Sequence, residues 1–204
     1  MSAEHGHRWY AATYDFLSRW AERGLLRQLR PLVVGQARGR VLEIGAGTGA
    51  SFPYYEQIES LVATDPDPFM LRRARRRAND LGFRVQWQQA QAESLPFADG
   101  SFDTVVSTLV LCTVADSARA LAETKRVLKP DGTFRFVEHV RADGWFGRVQ
   151  DLVTPAWRWI GAGCHPNRRT AESIRAAGFD IVQYEKRSVA QTPFVAGVAR
   201  PIRS

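Results

Sequence analysis

Apolar and polar positions along the chain follow two periods, one typical of helices and one typical of strands. Residues 8–34 repeat apolar side chains at helical spacing and predict one or two amphipathic helices with a break near Gly24. Short apolar runs predict strands that end at Gly45 and at Asp65. The same reasoning predicts further strands over residues 83–90, 104–111, 133–140, 180–187 and 193–201.

Helical spacing and capping residues predict the helices that connect these strands. One helix is predicted to begin near Gly49, a second covers residues 71–81, and a third begins at the N-cap Asp116. A fourth, closed by Gly178, covers residues 171–179. Because strands alternate with helices, we expect an α/β fold, namely a Rossmann-like, doubly wound seven-stranded sheet with helices on both faces.

The length of 204 residues suits one domain with four parts. Residues 1–35 are predicted to form an N-terminal helical cap, and residues 36–140 form the ligand-binding core. Residues 141–170 follow the fifth strand and are too long for a plain connection, so they are expected to form an insertion over the site. Residues 171–204 supply the C-terminal helix and strands.

Composition and charge narrow the possible partners and location. Hydrophobic residues make up 45% of the chain, which is typical of a soluble globular protein, and the net charge is +7. The arginines of residues 71–80 occupy the polar face of a predicted helix without interleaved aromatics, so nucleic acid is a disfavoured partner. The sequence shows neither a signal peptide nor a spanning segment, and Cys112 and Cys164 lack metal or disulfide spacing. These features predict a cytoplasmic protein without a metal site.

The stretch VLEIGAGTGASFPYY, residues 41–55, carries the strongest chemical signal. Its glycines follow a strand, where they permit a tight turn and let the next amides approach a polar ligand. The third glycine comes four residues after the first, whereas the dinucleotide fingerprint requires five. Asp65 ends the next strand, where a carboxylate accepts hydrogen bonds from a ribose diol. With Glu43 ahead of the glycines, this pattern predicts an adenosine-containing ligand without a pyrophosphate.

The motifs EIGAGTG, TDPDPFML, AESLPFADGSFD and LKPDG occur in this order, and through them residues 36–140 resemble a class I S-adenosylmethionine-dependent methyltransferase. The resemblance implies that S-adenosyl-L-methionine is the cofactor and S-adenosyl-L-homocysteine the product. It implies that the glycine loop holds the amino-acid end of the cofactor and that Asp65 binds the ribose. The implied cofactor-binding residues are Tyr14, Glu43, Gly45, Ala46, Gly47, Gly49, Asp65, Pro66, Met70, Gln91, Ala92, Glu93, Ser107 and Thr108.

Within this set, the resemblance implies which residues contact each part of the cofactor. Pro66 and Met70 lie against the adenine, and Gln91 stands where many relatives have an aspartate that contacts the adenine amino group. Ser107 and Thr108 flank the methionine portion. Tyr14 precedes the first strand and is expected to close over the cofactor.

The stretches TLVLCTV, FVEHVRADG, residues 149–179 and TPFVAGVA are similar to the methyltransferase-like 7 family of thiol S-methyltransferases. This resemblance implies a small, largely apolar thiol as the methyl acceptor. The thiolate is the competent nucleophile, so a nearby base assists the reaction. His139 ends the fifth strand and is the candidate base for this proton, with a packed histidine bonded to a neighbouring carbonyl as the alternative interpretation. Glu138 is the alternative candidate for the base. Neighbouring residues of a strand point to opposite faces of the sheet, so only one of Glu138 and His139 can face the site.

Aromatic side chains are expected to line the acceptor pocket. The predicted acceptor-binding residues are Tyr10, Tyr14, Trp145, Trp157 and His165. His139, Cys164 and His165 do not complete a zinc site, because the sequence offers no fourth ligand.

Two other functional hypotheses remain open at the level of the sequence. Tryptophans and arginines on amphipathic helices are typical of peripheral contact with an anionic membrane, here the inner face. An enzyme in that position would methylate phosphatidylethanolamine or a quinone-like lipid. A non-catalytic adenosyl-binding module would be indicated by a damaged glycine loop, but the loop is intact.

Overall fold

The structure is a computed structural model that describes residues 24–160, 163–189 and 192–202, with only the backbone described for residues 156–160 and 189. Its helices are α1 (Leu25–Val33), α2 (Pro68–Asp80), α3 (Ser117–Val127), α4 (Gly144–Ile160) and α5 (Thr170–Ala176). Its strands are β1 (Gly39–Ile44), β2 (Ile58–Asp65), β3 (Gln86–Gln89), β4 (Phe102–Thr108), β5 (Leu128–His139), β6 (Phe179–Val189) and β7 (Thr192–Pro201).

The seven strands form one sheet in the order β3-β2-β1-β4-β5-β7-β6. Strands β1 to β5 pair in parallel, and β7 runs antiparallel between β5 and β6. The strand order reverses direction between β1 and β4, and in such sheets a ligand binds beyond the carboxyl ends of the strands at that point. The predicted Rossmann-like seven-stranded fold is therefore confirmed.

Alternating side chains on the strands pack against helices on both faces of the sheet. Leu42 of β1 belongs to the core that includes Leu121 of α3 and Ile174 of α5. Its neighbour Val41 belongs instead to the core that includes Ala74 of α2. Helix α1 adds a smaller cluster with the end of β5. The carboxyl ends of β1, β2, β4 and β5 are consequently fixed at one edge of the sheet.

Two predicted elements differ from the observed ones. The helix expected near Gly49 is absent from this described segment, which has only a single 3-10 turn at Phe52–Tyr54. Tyr55 follows this turn in an extended conformation, with φ −76° and ψ 118°, so the turn does not continue into an α-helix. The strand predicted to reach residue 111 ends at Thr108, because Leu109 turns the backbone with a φ of 59°.

The insertion after β5 contains the long helix α4, and contacts within the insertion hold its two ends together. The Arg141 amide donates to the Arg168 carbonyl over 3.0 Å, and the Ala142 amide donates to Gln150 Oε1 over 2.6 Å. Arg141 also forms an ion pair with Asp151. No helix within the described ranges has the length and apolar character needed to cross a membrane.

Candidate active site

The glycine loop between β1 and the 3-10 turn holds three left-handed residues, Gly45, Gly47 and Gly49, with φ between 56° and 76°. A Cβ on Gly45 would lie 2.5 Å from Val110, and one on Gly49 would lie 2.5 Å from the Phe52 ring. A Cβ on Gly47 would meet nothing within 4 Å. The outer two glycines are therefore required by packing, whereas Gly47 faces open space where a ligand can approach the backbone.

Glu43 lies beneath this loop and is 2% exposed. Its carboxylate accepts a hydrogen bond from the Tyr55 hydroxyl at 3.0 Å. Burial raises the pKa of Glu43 to about 7, although Ser51, Arg30 and Tyr55 act in the opposite direction. A cationic group above the loop would favour the charged form. The contact of Glu43 with the amino-acid end of a cofactor stays a prediction.

Asp65 connects the glycine loop to the turn that follows β2. The amides of Gly47 and Asp67 each donate to one of its carboxylate oxygens at 2.9 Å. Burial raises the pKa of Asp65 to about 6. A carboxylate has about four acceptor positions, so each oxygen retains capacity for a further hydrogen bond. Asp65 thus both orients the loop and offers acceptors to a diol.

The residues assigned to the adenine surround the same end of the sheet with different exposures. Met70 and Ala92 are buried, whereas Pro66 and Gln91 are exposed. Glu93 forms hydrogen bonds within the protein: its Oε1 accepts from the amides of Ala115 and Asp116 at 2.9 and 3.2 Å. That contact connects the loop after β3 to the segment after β4.

The end of β4 presents polar atoms next to the glycine loop. Ser107 donates to Glu138 at 3.0 Å, so its hydroxyl is engaged. Thr108 Oγ1 is buried and has no hydrogen-bond partner among the described residues. Leu109 follows in the left-handed conformation, which is rare for a branched residue and is found at functional sites. Nothing in the sequence indicated that Leu109 would take this conformation.

Glu138, predicted as an alternate base, is fully buried and accepts four hydrogen bonds. Its Oε1 accepts from Ser107 Oγ and from the amides of Val110 and Leu111, each at 3.0 Å, and its Oε2 accepts from the Cys112 amide at 3.2 Å. Burial raises its pKa, and the loop amides oppose that effect. These contacts give Glu138 the task of holding the segment after β4 in place.

His139 lies half-buried at the end of β5, with its ring stacked on Phe194 at 5.4 Å between centroids. Its Nδ1 lies 3.7 Å from the sulfur of Cys164. Burial disfavours the imidazolium, but contact with Cys164 and the charge of Glu138 outweigh it and raise the pKa of His139. The role of His139 as the base stays a prediction.

Cys112 is buried beside His139 and Cys164, a neighbour that its position in the sequence did not indicate. Contact with Cys164 and burial raise the pKa of the Cys112 thiol well above its usual value. We call Cys112, Glu138, His139 and Cys164, which meet beyond the ends of β4 and β5, the acceptor edge.

The structure describes only some of the remaining residues that were predicted to bind the acceptor. His165 donates its amide to the Cys112 carbonyl over 2.7 Å and so holds the insertion against the acceptor edge. Trp145 lies in the first turn of helix α4 and is 69% exposed. Trp157 lies on α4, where only the backbone is described, and Tyr10 and Tyr14 lie outside the described residues.

The residues of this edge fit the predicted cofactor. Gly47 leaves open space above the loop, Thr108 offers a buried hydroxyl without a partner in the described part of the chain, and Asp65 retains acceptor capacity. Ala46, whose amide donates to the Thr64 carbonyl at 2.8 Å, fixes the loop to the end of β2. An adenosine ligand with a charged amino-acid end matches this set of groups.

Comparisons with known proteins agree with this geometry. The family model described as "Methyltransferase domain" matches residues 42–136. The chain is similar to the human thiol S-methyltransferase TMT1B, with 34% identity over 171 residues that cover 81% of this chain and 70% of the relative.

Solved structures with low sequence identity share the fold. The YcgJ protein from Bacillus subtilis superposes with a TM-score of 0.72 at 19% identity and covers 88% of this chain and 98% of that one. The methyltransferase CalH in complex with SAH superposes with a TM-score of 0.65 at 23% identity, over 89% of this chain and 57% of that one.

Proposed function

The chain belongs to the thiol S-methyltransferase family of S-adenosylmethionine-dependent methyltransferases, and from this premise we propose that it methylates the sulfur of a small, largely apolar thiol. The observation that carries the choice of acceptor is the similarity to a thiol S-methyltransferase. It extends over 81% of the chain and therefore beyond the cofactor motifs.

The cofactor half of the proposed reaction uses the edge formed by β1, β2 and β4. Bound S-adenosylmethionine would supply an electrophilic methyl group on a sulfonium, which leaves the protein mainly the task of alignment. Glu43 and the glycine loop would hold its amino-acid end, and Asp65 its ribose. Thr108 would provide a hydroxyl next to the methionine portion.

The acceptor half uses the edge formed by β4, β5 and the insertion. An apolar surround excludes water and favours a hydrophobic acceptor, and Phe194 supplies part of it beside His139. Because the thiolate reacts and the thiol does not, the site must favour loss of the acceptor proton. We assign that task to His139 as the histidine beside the sulfur atoms of this edge. Glu138 positions the segment after β4, and His139 accepts the proton of the acceptor thiol.

The experiment offers the full chain labelled S-adenosylmethionine with a small aromatic thiol and, in parallel, the phenol of the same shape. Label in the thioether and none in the phenol ether is the expected result, because a phenol is far less ionised than a thiol near neutral pH. An Asp65→Ala variant serves as the matched protein control and should give far less label when S-adenosylmethionine is below saturation. Equal labelling of both substrates, or labelling of neither, would overturn the thiol assignment.

A membrane lipid is a second candidate acceptor, favoured by an apolar stripe on helix α4. Trp145, Val149 and Leu152 lie at helical spacing and are 69%, 38% and 81% exposed, with the exposed Arg148 beside them. Such a face suits peripheral contact with an anionic surface. Phosphatidylethanolamine vesicles form a third arm of the same assay, and label in lipid with none in thiol would select this candidate.

A further inference from the structure

Three potential metal ligands from separate parts of the chain meet at the acceptor edge. Cys112 follows β4, His139 ends β5, and Cys164 lies in the loop after α4. One ligand atom from each residue lies within 4.8 Å of the other two. Cys112 is buried, and His139 and Cys164 are half-buried, so part of the group is accessible to solvent.

The observed spacing approaches that of ligands around one zinc ion. Zinc bonds of about 2.3 Å to sulfur and about 2.0 Å to nitrogen in a tetrahedral site place sulfur and nitrogen about 3.5 Å apart. The Cys164 sulfur lies 3.7 Å from His139 Nδ1. Two thiolates and an imidazole form the soft donor set that zinc prefers.

The backbone that carries these side chains is held in place on all sides. Glu138 accepts from the Cys112 amide, and the His165 amide donates to the Cys112 carbonyl, so the two cysteine-bearing segments are joined directly. Arg168 donates to the carbonyls of Leu111 and Val114 and brings a positive charge close to the future thiolates. Such surrounding hydrogen bonds orient ligands in metal sites.

We propose that Cys112, His139 and Cys164 bind a zinc ion that keeps one coordination position open for the sulfur of the acceptor. Three protein ligands with an open fourth position are the arrangement of catalytic zinc sites, whereas structural sites are closed by four. The identity of the fourth ligand rests on the proposed thiol methylation, but the binding of zinc does not.

The chemistry of the site follows from the metal. An acceptor thiol that coordinates zinc loses its proton to water, because a coordinating thiol is deprotonated outright. With zinc bound, His139 serves as a ligand, and the metal, with water as the proton acceptor, takes over the task assigned above to His139 in the metal-free site. When the acceptor sulfur forms its bond to the methyl group, it becomes a neutral thioether, which binds zinc more weakly than a thiolate and leaves the site. The donor sulfur takes the electron pair of the broken carbon–sulfur bond.

The first experiment measures metal binding by the full chain without cofactor or acceptor. The protein is kept reduced with a phosphine, stripped with a chelator and titrated with Zn²⁺ against a chromophoric chelator, and separately with Co²⁺ as a spectroscopic probe. We expect one ion per chain and a thiolate-to-cobalt charge-transfer band. Absence of both zinc uptake and the cobalt band would overturn the site, and thiol methylation would be unaffected by that result.

Variants test the ligand set directly. Cys112→Ser, Cys164→Ser and His139→Ala should each weaken Zn²⁺ binding by more than about 10-fold, which is the lower end of the loss seen on changing even outer-sphere partners. His165→Gln is the matched control, because this histidine neighbours Cys164 but lies outside the ligand group. Since Cys112 is buried and its variant risks misfolding, the half-buried Cys164 supplies the decisive comparison, with circular dichroism reported for each protein. Equal Zn²⁺ affinity of Cys164→Ser and wild type would overturn the assignment.

The open position is tested by adding a small aromatic thiol to the cobalt-loaded protein. A shift and strengthening of the charge-transfer band, absent with the matching phenol, is the expected result. No change in the band would overturn the role of the metal in acceptor binding. If the band shifts but no thioether forms with S-adenosylmethionine present, the metal site stands and the proposed thiol methylation fails.

Discussion

The two halves of the site are built from differently distributed parts of the chain. The cofactor half takes its main polar groups, Glu43, the glycine loop and Asp65, from one β-loop-β segment. The acceptor edge instead joins the segment after β4, the end of β5 and the loop after α4. In a continuous segment, the spacing of the residues along the sequence predicts the site. The residues of the acceptor edge come together only when the sheet and the insertion have folded.

The largest expected effect is on ligand binding in the cofactor half. Asp65→Ala removes the acceptors for the ribose diol, and two hydrogen bonds to a charged group are worth about 3 kcal/mol together, or on the order of 100-fold in affinity. Calorimetric titration with S-adenosylhomocysteine measures the loss. Asp67→Asn, two residues away, is the control that should bind normally. Normal affinity of Asp65→Ala would remove Asp65 from the site.

The buried Glu43 gives the cofactor half a pH dependence of its own. Its pKa rises from 4.5 to about 7 on folding, so the folded chain binds this proton more tightly than the unfolded chain. The stabilising effect is complete below about 4.5 and is lost as the pH rises through about 7. It amounts to roughly 3 kcal/mol. Urea unfolding of the ligand-free protein across this range measures it.

Glu43→Gln provides the reference for that measurement, because the amide cannot titrate. The difference in unfolding free energy between wild type and variant should change across the window, and contributions of other groups cancel in the difference. A constant difference from pH 4.5 to pH 7 would show that the pKa of Glu43 is not raised.

The smallest expected effect lies in the acceptor edge. Glu138→Gln keeps one carbonyl oxygen but turns an amide group toward one of the present donors, which should lower the free energy of unfolding by about 2 kcal/mol. Thiol methylation should fall more than cofactor affinity. A loss of cofactor affinity as large as that of Asp65→Ala would show that the two halves are not separable in this way.

The sequence predicted those features of the fold and the site that depend on residues close together in the chain. The succession of strands and helices along the chain, the cap at Asp116 and the positions of Glu43 and Asp65 follow from patterns within a few residues, and the structure has Asp116 accepting from the Arg119 amide. The predicted helix near Gly49 was wrong because the backbone becomes extended at Tyr55, after a single 3-10 turn, which the residue pattern did not indicate.

The acceptor edge was predicted only in part for a physical reason. His139 was identified from its place at a strand end, but the approach of Cys112 depends on the turn at Leu109 and on the four hydrogen bonds of Glu138. The 27- and 25-residue separations among the three ligands, from 112 to 139 and from 139 to 164, match no short metal motif. The proximity of Cys112, His139 and Cys164 can therefore be identified only from the folded structure.

The anchored base of the insertion has a consequence for protein engineering. Contacts of Arg141, Ala142 and Asp151 with residues 150 and 167–168 close the insertion into a loop whose two ends stay together. The outward part of α4 beyond those contacts is therefore a natural segment for exchange with relatives. If residues 141–170 select the acceptor, as the sequence predicts, chimeras joined at this base should change acceptor preference while cofactor binding stays the same.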